Sequence, residues 1–302
     1  MLEKIKEVPF IDESTAVKVT SDEEGKVVLE RYDRVIWARE VWSLREPVHG
    51  LACYVEAAKL LSLLEKVVKL EQTTCLVVTL DNGARYELPF LPVSWEPVEM
   101  PNDFDGTVEF DLSDLMLSTL KNLIKPELQC IYIDERGAVS CDFITACISK
   151  KVRFSRPFLL PPDVQALVDG KTWQVKIGDK LYLKQRGMAI VTQCPTMNDD
   201  GTWEQLRSML PEQVEETSNG GALSESLKRL AVFGDYVSFD GTKVMCGSNF
   251  EPFEFADTGE LTYEIEKLLR ILSTAQAITE HENNLICSNA NSTFLMSPMD
   301  EA

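Results

Sequence analysis

The chain has 302 residues, 44% of them hydrophobic and 26% charged, and a formal net charge of −19. That length exceeds one ordinary domain and suits two or three cores, and the acidity excludes a protein that coats nucleic acid over its whole surface while leaving room for a local basic lining. No run of about 18 apolar residues occurs, and the opening MLEKIKEVPFIDES lacks the apolar core of a signal peptide, so a cytosolic (cytoplasmic) protein with no membrane partner is expected.

Taken in order, residues 1–10 allow a short helix before Pro9. Ala16–Thr20 and Lys26–Glu30 alternate as strands around a turn at Asp22–Gly25, and the strand Arg34–Val41 follows, with Trp37 and Trp42 as sheet packing. Tyr54–Leu70, YVEAAKLLSLLEKVVKL, has helical spacing. Leu60, Leu61, Leu64, Val67 and Val68 make one apolar face, and Lys59, Lys66 and Lys69 lie on the other. TTCLVVTL and ARYELPF form a hairpin across Asp81-Asn82-Gly83, and LPVSWEPVEMP leads to a linker near Pro101.

The second block opens with VEFDL and a helix capped by Asp111 or Ser113, carrying Lys121 and Lys125 and stopped by Pro126. LQCIYI, AVSCDFITACIS and KVRF read as strands, followed by a short helix that begins at Pro161-Pro162 and ends at Gly170. WQVKI, KLYLKQ and MAIVTQC are strands joined at Gly178-Asp179 and Arg186-Gly187. GTWEQLRSMLPEQ then leads into VEETSNGG, the second linker by composition. The third block holds a helix over 223–232 with Lys228 and Arg229, YVSF and KVMC around Asp240-Gly241, FEPFEFAD, a helix over 262–275 with Lys267 and Arg270, LICS, and TFLMSPM. That final apolar stretch is either a strand or the lining of a surface groove.

Helix-bearing segments begin at Tyr54, Val108, Pro157, Gly221 and Leu261, roughly fifty residues apart, which marks repeated supersecondary units. Windows 55–70, 113–125, 162–168, 224–230 and 262–272 together hold nine Lys or Arg against seven Asp or Glu, so the acidity resides outside the helices. The eight cysteines are scattered through apolar runs without a C-x-x-C pair and read as small buried hydrophobes. There is no phosphate-binding loop, dinucleotide fingerprint or nucleophile elbow, and His281-Glu282 fails as a zinc motif because Leu285 stands where a second histidine belongs. No catalytic residue, metal or cofactor is therefore assigned.

The order of these segments resembles the bacterial-type β sliding clamp, the processivity subunit of the replicative DNA polymerase. GLACYVEAAKLLSLLEKV and ARYELPFLPVSWEPVEMP look like that family's first-domain helix and proline-rich exit. VSCDFITACIS falls where the family has T-D-G-H-R-L-A, GTWEQLRSMLP where it has G-x-F-P-D-Y-x-x-V-L-P, and TFLMSPM where it has Y-x-x-M-P-M. Asp142 is kept, whereas Phe143, Ile144 and Thr145 replace Gly, His and Arg, and Asp300 replaces an Arg.

The resemblance implies an α+β fold of three similar domains, 1–102, 103–214 and 215–302. Each would have two helices on antiparallel sheets, and the domains would assemble into a homodimeric ring around duplex DNA. It further implies that Lys59, Lys66, Lys69, Lys121, Lys125, Lys228, Arg229, Lys267 and Arg270 face the DNA. Phe143, Ile144, Thr145, Pro211, Leu295, Met296, Ser297, Pro298 and Met299 would form the groove for peptides of the polymerase and clamp loader. The rival expectation is a clamp-derived protein-binding scaffold that encircles nothing.

Overall fold

The computed structural model describes residues 16–32, 36–95, 98–119, 126–197, 201–210 and 218–299. The expected first helix at 1–10 and the positions Lys121, Lys125, Pro211 and Asp300 lie outside those residues.

The first block runs β1 (Ala16–Ser21), β2 (Val27–Tyr32), β3 (Trp37–Trp42), β4 (Ala52–Glu56), α1 (Ala57–Leu63), a 3-10 turn Leu64–Lys66, β5 (Val67–Gln72), β6 (Leu76–Leu80) and β7 (Arg85–Leu88). The second runs β8 (Gly106–Phe110), 3-10 turns Leu115–Ser118 and Pro126–Gln129, β9 (Ile131–Asp134), β10 (Gly137–Cys141), β11 (Thr145–Ser149), β12 (Phe158–Leu160), α2 (Pro162–Val168), β13 (Lys171–Ile177), β14 (Lys180–Gln185), β15 (Met188–Gln193) and α3 (Thr202–Ser208). The third runs β16 (Ser218–Asn219), α4 (Gly220–Leu230), β17 (Tyr236–Phe239), β18 (Lys243–Cys246), β19 (Asn249–Pro252), β20 (Tyr263–Glu264), α5 (Ile265–Leu272), β21 (Ala277–His281), β22 (Asn284–Ser288) and β23 (Ser292–Met296).

One device recurs six times: an antiparallel meander of three strands, β1-β2-β3, β5-β6-β7, β9-β10-β11, β13-β14-β15, β17-β18-β19 and β21-β22-β23. Tight turns make it: Gly25, Gly83, Gly187 and Gly241 all hold positive φ where the chain reverses. Two meanders join through their third strands, β3 with β15 and β11 with β23. This gives the eight-stranded sheets β4-β1-β2-β3-β15-β14-β13-β8 and β12-β9-β10-β11-β23-β22-β21-β16. The other two sheets are β19-β18-β17-β20 and β5-β6-β7. Cα packing follows the sheets and divides the chain into two units, one of residues 1–108, 166–168 and 172–194, the other of 109–165, 169–171 and 195–302.

In the first unit, Val17, Val19, Val27 and Leu29 pack with Leu60, Leu61 and Leu64 and with Leu70, Leu76 and Val78 of the β5-β6-β7 sheet. In the second, α4 is capped by Asn219, whose side-chain oxygen accepts from the N–H groups of Gly221 and Ala222 at 2.9 and 3.1 Å. It buries Leu223, Leu227 and Leu230, and α5 buries Ile265, Leu268, Ile271 and Leu272.

Three expected elements change. The helix read over Tyr54–Leu70 ends at Lys66, and Val67–Gln72 is a strand, because the β-branched pair Val67-Val68 fits a ladder with Leu80 better than another helical turn. The described part of the helix expected after Asp111 is a 3-10 turn, and Asp114, instead of capping it, turns inward. KVRF joins no ladder; Val152 and Phe154 are buried from coil, and the strand Phe158–Leu160 pairs with β9 in its place.

Six of the eight cysteines are buried and all are free; burial pushes the Cys53 thiol up to about 11 and Cys287 to about 12, so these sulfurs act as packing. Among the described residues, no group of three His, Cys, Asp or Glu could hold a metal, and no helix is long and apolar enough to cross a membrane.

Asp114, 3% exposed, is the polar centre of the second unit. Its Oδ2 accepts from Ser292 Oγ at 2.7 Å and Asn289 Nδ2 at 3.2 Å, with Lys151 Nζ at 3.6 Å. Ser292 Oγ also lies 3.0 Å from Ser149 Oγ, inside the β11·β23 ladder where Ser149 and Ser292 are opposite. Replacing Asp114 by Ala strands the donors of Ser292 and Asn289 while Lys151 keeps Asp111 at 3.0 Å, so Asp114→Ala should lower stability by about 1–3 kcal/mol. Urea denaturation checks this; an unchanged midpoint refutes the role.

Candidate functional site

The segment AVSCDFITACIS folds as two strands, β10 and β11, joined by Phe143-Ile144, with the Asp142 N–H donating to the Thr145 carbonyl at 2.9 Å. A two-residue hairpin loop needs positive φ at its first central position, and Phe143 adopts φ +72°. Glycine does this freely; a phenylalanine pays for its Cβ, on the order of 1–2 kcal/mol. Asp142 holds the turn. Its Oδ1 accepts from Ile144 N–H at 3.1 Å, Thr145 N–H at 2.6 Å and Thr145 Oγ at 2.8 Å, and its Oδ2 from Lys267 Nζ of α5 at 3.2 Å.

Next to this turn lies an apolar row that crosses four strands. Cys141 is opposite Ala146, Ala146 opposite Leu295, and Leu295 opposite Ile286, so the four side chains share one face. Leu210 closes the cluster, and half-buried Leu206 and Ile148 pack against it. Helix α3 is fixed over the sheet by Trp203 stacked on Tyr132, ring centroids 5.3 Å apart, and by Arg207, which donates to Asp134 Oδ1 at 2.8 Å and the Gly137 carbonyl at 3.1 Å. Arg136 pairs with Glu204 at the same place. After β23 the Ser297 N–H donates to the Ile144 carbonyl and the Met299 N–H to the Thr262 carbonyl, both at 2.8 Å, which straps Ser297–Met299 beside the turn.

The expected groove residues thus separate into two sets. Phe143, 56% exposed, Ile144, Leu295, Ser297, Pro298 and Met299 lie on or beside the row. Thr145 and Met296 face each other on the opposite side of the sheet and are buried, because strand side chains alternate. Cys141, Ala146, Ile286, Leu206 and Leu210 were not anticipated. The 3-4 spacing of Trp203, Leu206 and Leu210 was a signal for the helix, but cross-strand alignment of Cys141 with Ile286 leaves none in sequence.

Of the expected basic residues, Lys59 pairs with Glu56 at 2.6 Å, Lys228 with Glu225 at 2.7 Å, and Arg229 grips both oxygens of Glu251 at 2.9 Å. Lys69 sits on strand β5, not a helix, and pairs with Glu71 at 2.8 Å. Lys66 and Arg270 are exposed with no ion-pair partner among the described residues. Lys267 differs from all of these: its partner Asp142 is buried, and the pair ties α5 to the β10–β11 turn.

Phe143→Gly removes the left-handed strain while loosening the unfolded chain. The variant should be as stable as the parent or more stable by about 1 kcal/mol. Thermal melts check this, and a clear loss of stability would show that the ring packs rather than merely tolerating its place.

No protein-family model matches the sequence, and a search of curated proteins finds no match. Comparison of structures does. Over 99% of this chain and 96% of the other, it is similar to a Helicobacter pylori beta clamp bound to a DNA ligase peptide, with 14% identity and a TM-score of 0.74. The DNA polymerase III subunit beta from Pseudomonas aeruginosa matches over 99% and 97% of the two chains, with 12% identity and a TM-score of 0.74. A DNA polymerase sliding clamp of the same organism, with ligand, matches over 99% and 96% at 13% identity and a TM-score of 0.75. Across nearly its whole length, this chain has the fold of the bacterial DNA polymerase III β clamp.

Proposed function

We propose that this chain is a sliding clamp: a non-enzymatic processivity factor in which two copies close head to tail around duplex DNA. The three repeats 1–102, 103–214 and 215–302 are its domains. One observation carries the reading. Among the described residues a third meander strand twice pairs with another third strand, β3 with β15 and β11 with β23, which leaves β19 and β7 as the third strands without such a partner. Strand edges with unpaired N–H and C=O groups are templates for association. Pairing β19 of one copy with β7 of a second, and the reverse, repeats the same junction twice and closes a ring. Both edges carry aromatic side chains, Phe250 at 60% and Tyr86 at 44% exposure.

In this reading the helices line the hole. Lys66 and Arg270 are the readiest phosphate contacts, Lys59 and Lys228 join by exchanging a surface carboxylate for a phosphate, since surface ion pairs hold weakly, and Arg229, which grips both oxygens of Glu251, exchanges least readily. Lys69, Lys121 and Lys125 complete the proposed set. Such contacts do not read bases, so binding is sequence-independent and salt-sensitive. Lys267 serves the groove instead, holding the turn through Asp142. The groove bordered by Phe143, Ile144 and Ser297–Met299, beside the buried row Cys141–Ala146–Leu295–Ile286, receives apolar peptides of the replicative polymerase and of the clamp loader. Without a histidine or arginine in the turn, it favours apolar over acidic peptides. The site of action is the cytoplasm.

Two measurements test this. Light scattering should give twice the chain mass, and Tyr86→Glu with Phe250→Glu should give one chain mass. Retention on nicked circular DNA should exceed that on linear DNA and fall several-fold in Lys66→Glu with Arg270→Glu, because reversed charge forfeits phosphate contacts. A monomer whose retention is the same for both DNA forms and both proteins would favour the protein-binding scaffold.

A further inference from the structure

A second trough lies on the first unit, on strands β3, β15 and β14. Arg39 is directly opposite Ala189, and Ala189 directly opposite Lys184, so the three share a face with a methyl group between two cations. One step further along, Val41 donates its N–H to the Gly187 carbonyl at 2.8 Å. A Cβ on Gly187 would meet nothing nearer than the Val41 carbonyl at 3.8 Å, so the floor is open there too. Small residues in the centre and long ones at the sides leave a cavity of about 180 Å³, lined by Arg39, Val41, Met100, Lys184, Met188 and Ala189 among others. A cavity of about 150 Å³ suffices for a benzene ring.

Among the described residues the cations here have no carboxylate partner, unlike most of those on the helices. Glu30, Arg39's opposite neighbour on β2, is taken by Lys18 at 2.8 Å. Arg39 Nε is shielded from solvent and has no hydrogen-bond acceptor. Lys184 Nζ lies 5.7 Å from the centre of the Phe104 ring and has no carboxylate partner among the described residues. On a chain of net charge −19, two free cations flanking an apolar hollow select for negative charge beside a large apolar side chain.

We propose that this trough is a docking site for a partner protein's extended peptide, one that places an aromatic side chain over Ala189 and Gly187 and adjacent carboxylates on Arg39 and Lys184. The guanidinium offers a fork to one carboxylate and the ammonium a point charge to the next. Met100, packed beside Ala189, adapts to the shape of the ring. An apolar floor fits a side chain better than it fits the phosphates of a nucleic acid. This site shares no residue with the β11·β23 groove and does not depend on ring closure.

The test is a titration of the full chain, labelled in its alanine and methionine methyl groups, with the peptide acetyl-Ser-Phe-Asp-Asp-Leu-amide. The expected result is saturable shifts at Ala189 and Met100. Binding should weaken at least tenfold in Lys184→Glu, an exposed position that leaves the fold intact, in Arg39→Gln, and with the peptide's aspartates changed to asparagines. Unmoved Ala189 and Met100 methyls, equal affinity of the Lys184→Glu protein, or equal competition by a short oligothymidylate would each overturn the proposal.

Discussion

Unpaired strand edges are the constraint on which this architecture depends. A three-stranded meander satisfies its inner strand and leaves a row of N–H and C=O groups along each outer one. Here one outer strand of a meander takes a fourth strand, as β1 takes β4, β9 takes β12, β17 takes β20, β13 takes β8 and β21 takes β16. In four of the six the third strand meets the third strand of another meander, β3 with β15 and β11 with β23. Large sheets result from small, locally folded pieces, and each junction is made by backbone bonds that are indifferent to side-chain identity. That indifference explains how a chain only 12–14% identical to bacterial clamps keeps their fold over 99% of its length.

Side chains then decide what each junction presents. At β11·β23 one face carries small or aliphatic groups, Ala146 and Leu295, packed with Leu206 and Leu210, next to a turn whose aromatic residue stands out into solvent. The turn is kept in that conformation by a single carboxylate with four donors on it, three from its own loop and one from a helix 125 residues away. At β3·β15 one face carries Arg39, Ala189 and Lys184. One backbone plan thus yields an apolar shelf in one place and a cationic trough in another.

Much of this was legible in the sequence because meanders are local. Alternation and the turns Asp81-Asn82-Gly83, Arg186-Gly187 and Asp240-Gly241 identify strands without reference to anything distant, and the buried cysteines follow from their apolar surroundings. The fifty-residue repeat is the helix-plus-meander unit. What stayed hidden was long-range. Val67 and Val68 continue a helical face on paper, yet pairing with β6 recruits them to a strand and takes Lys69 with them. Thr145 and Met296 fall in the right motifs but on the wrong face, since parity within a strand shows only once its partner's register is known. Lys267 looks like any basic helix residue, and its bond to Asp142 is visible only in three dimensions.

The bonds of Asp114 also bear on how the protein is made. Its acceptor oxygen waits for Ser292, 178 residues later, and the β11 edge waits for β23. Meanders fold as they leave the ribosome, but the second unit keeps a buried carboxylate short of its donors and an open strand edge until residue 292 has been synthesised. Long-range pairing of this kind is slow and leaves the intermediate prone to sticking to other chains. The same long-range bonds that complete the second unit therefore leave the nascent chain with an open edge until its last meander is made.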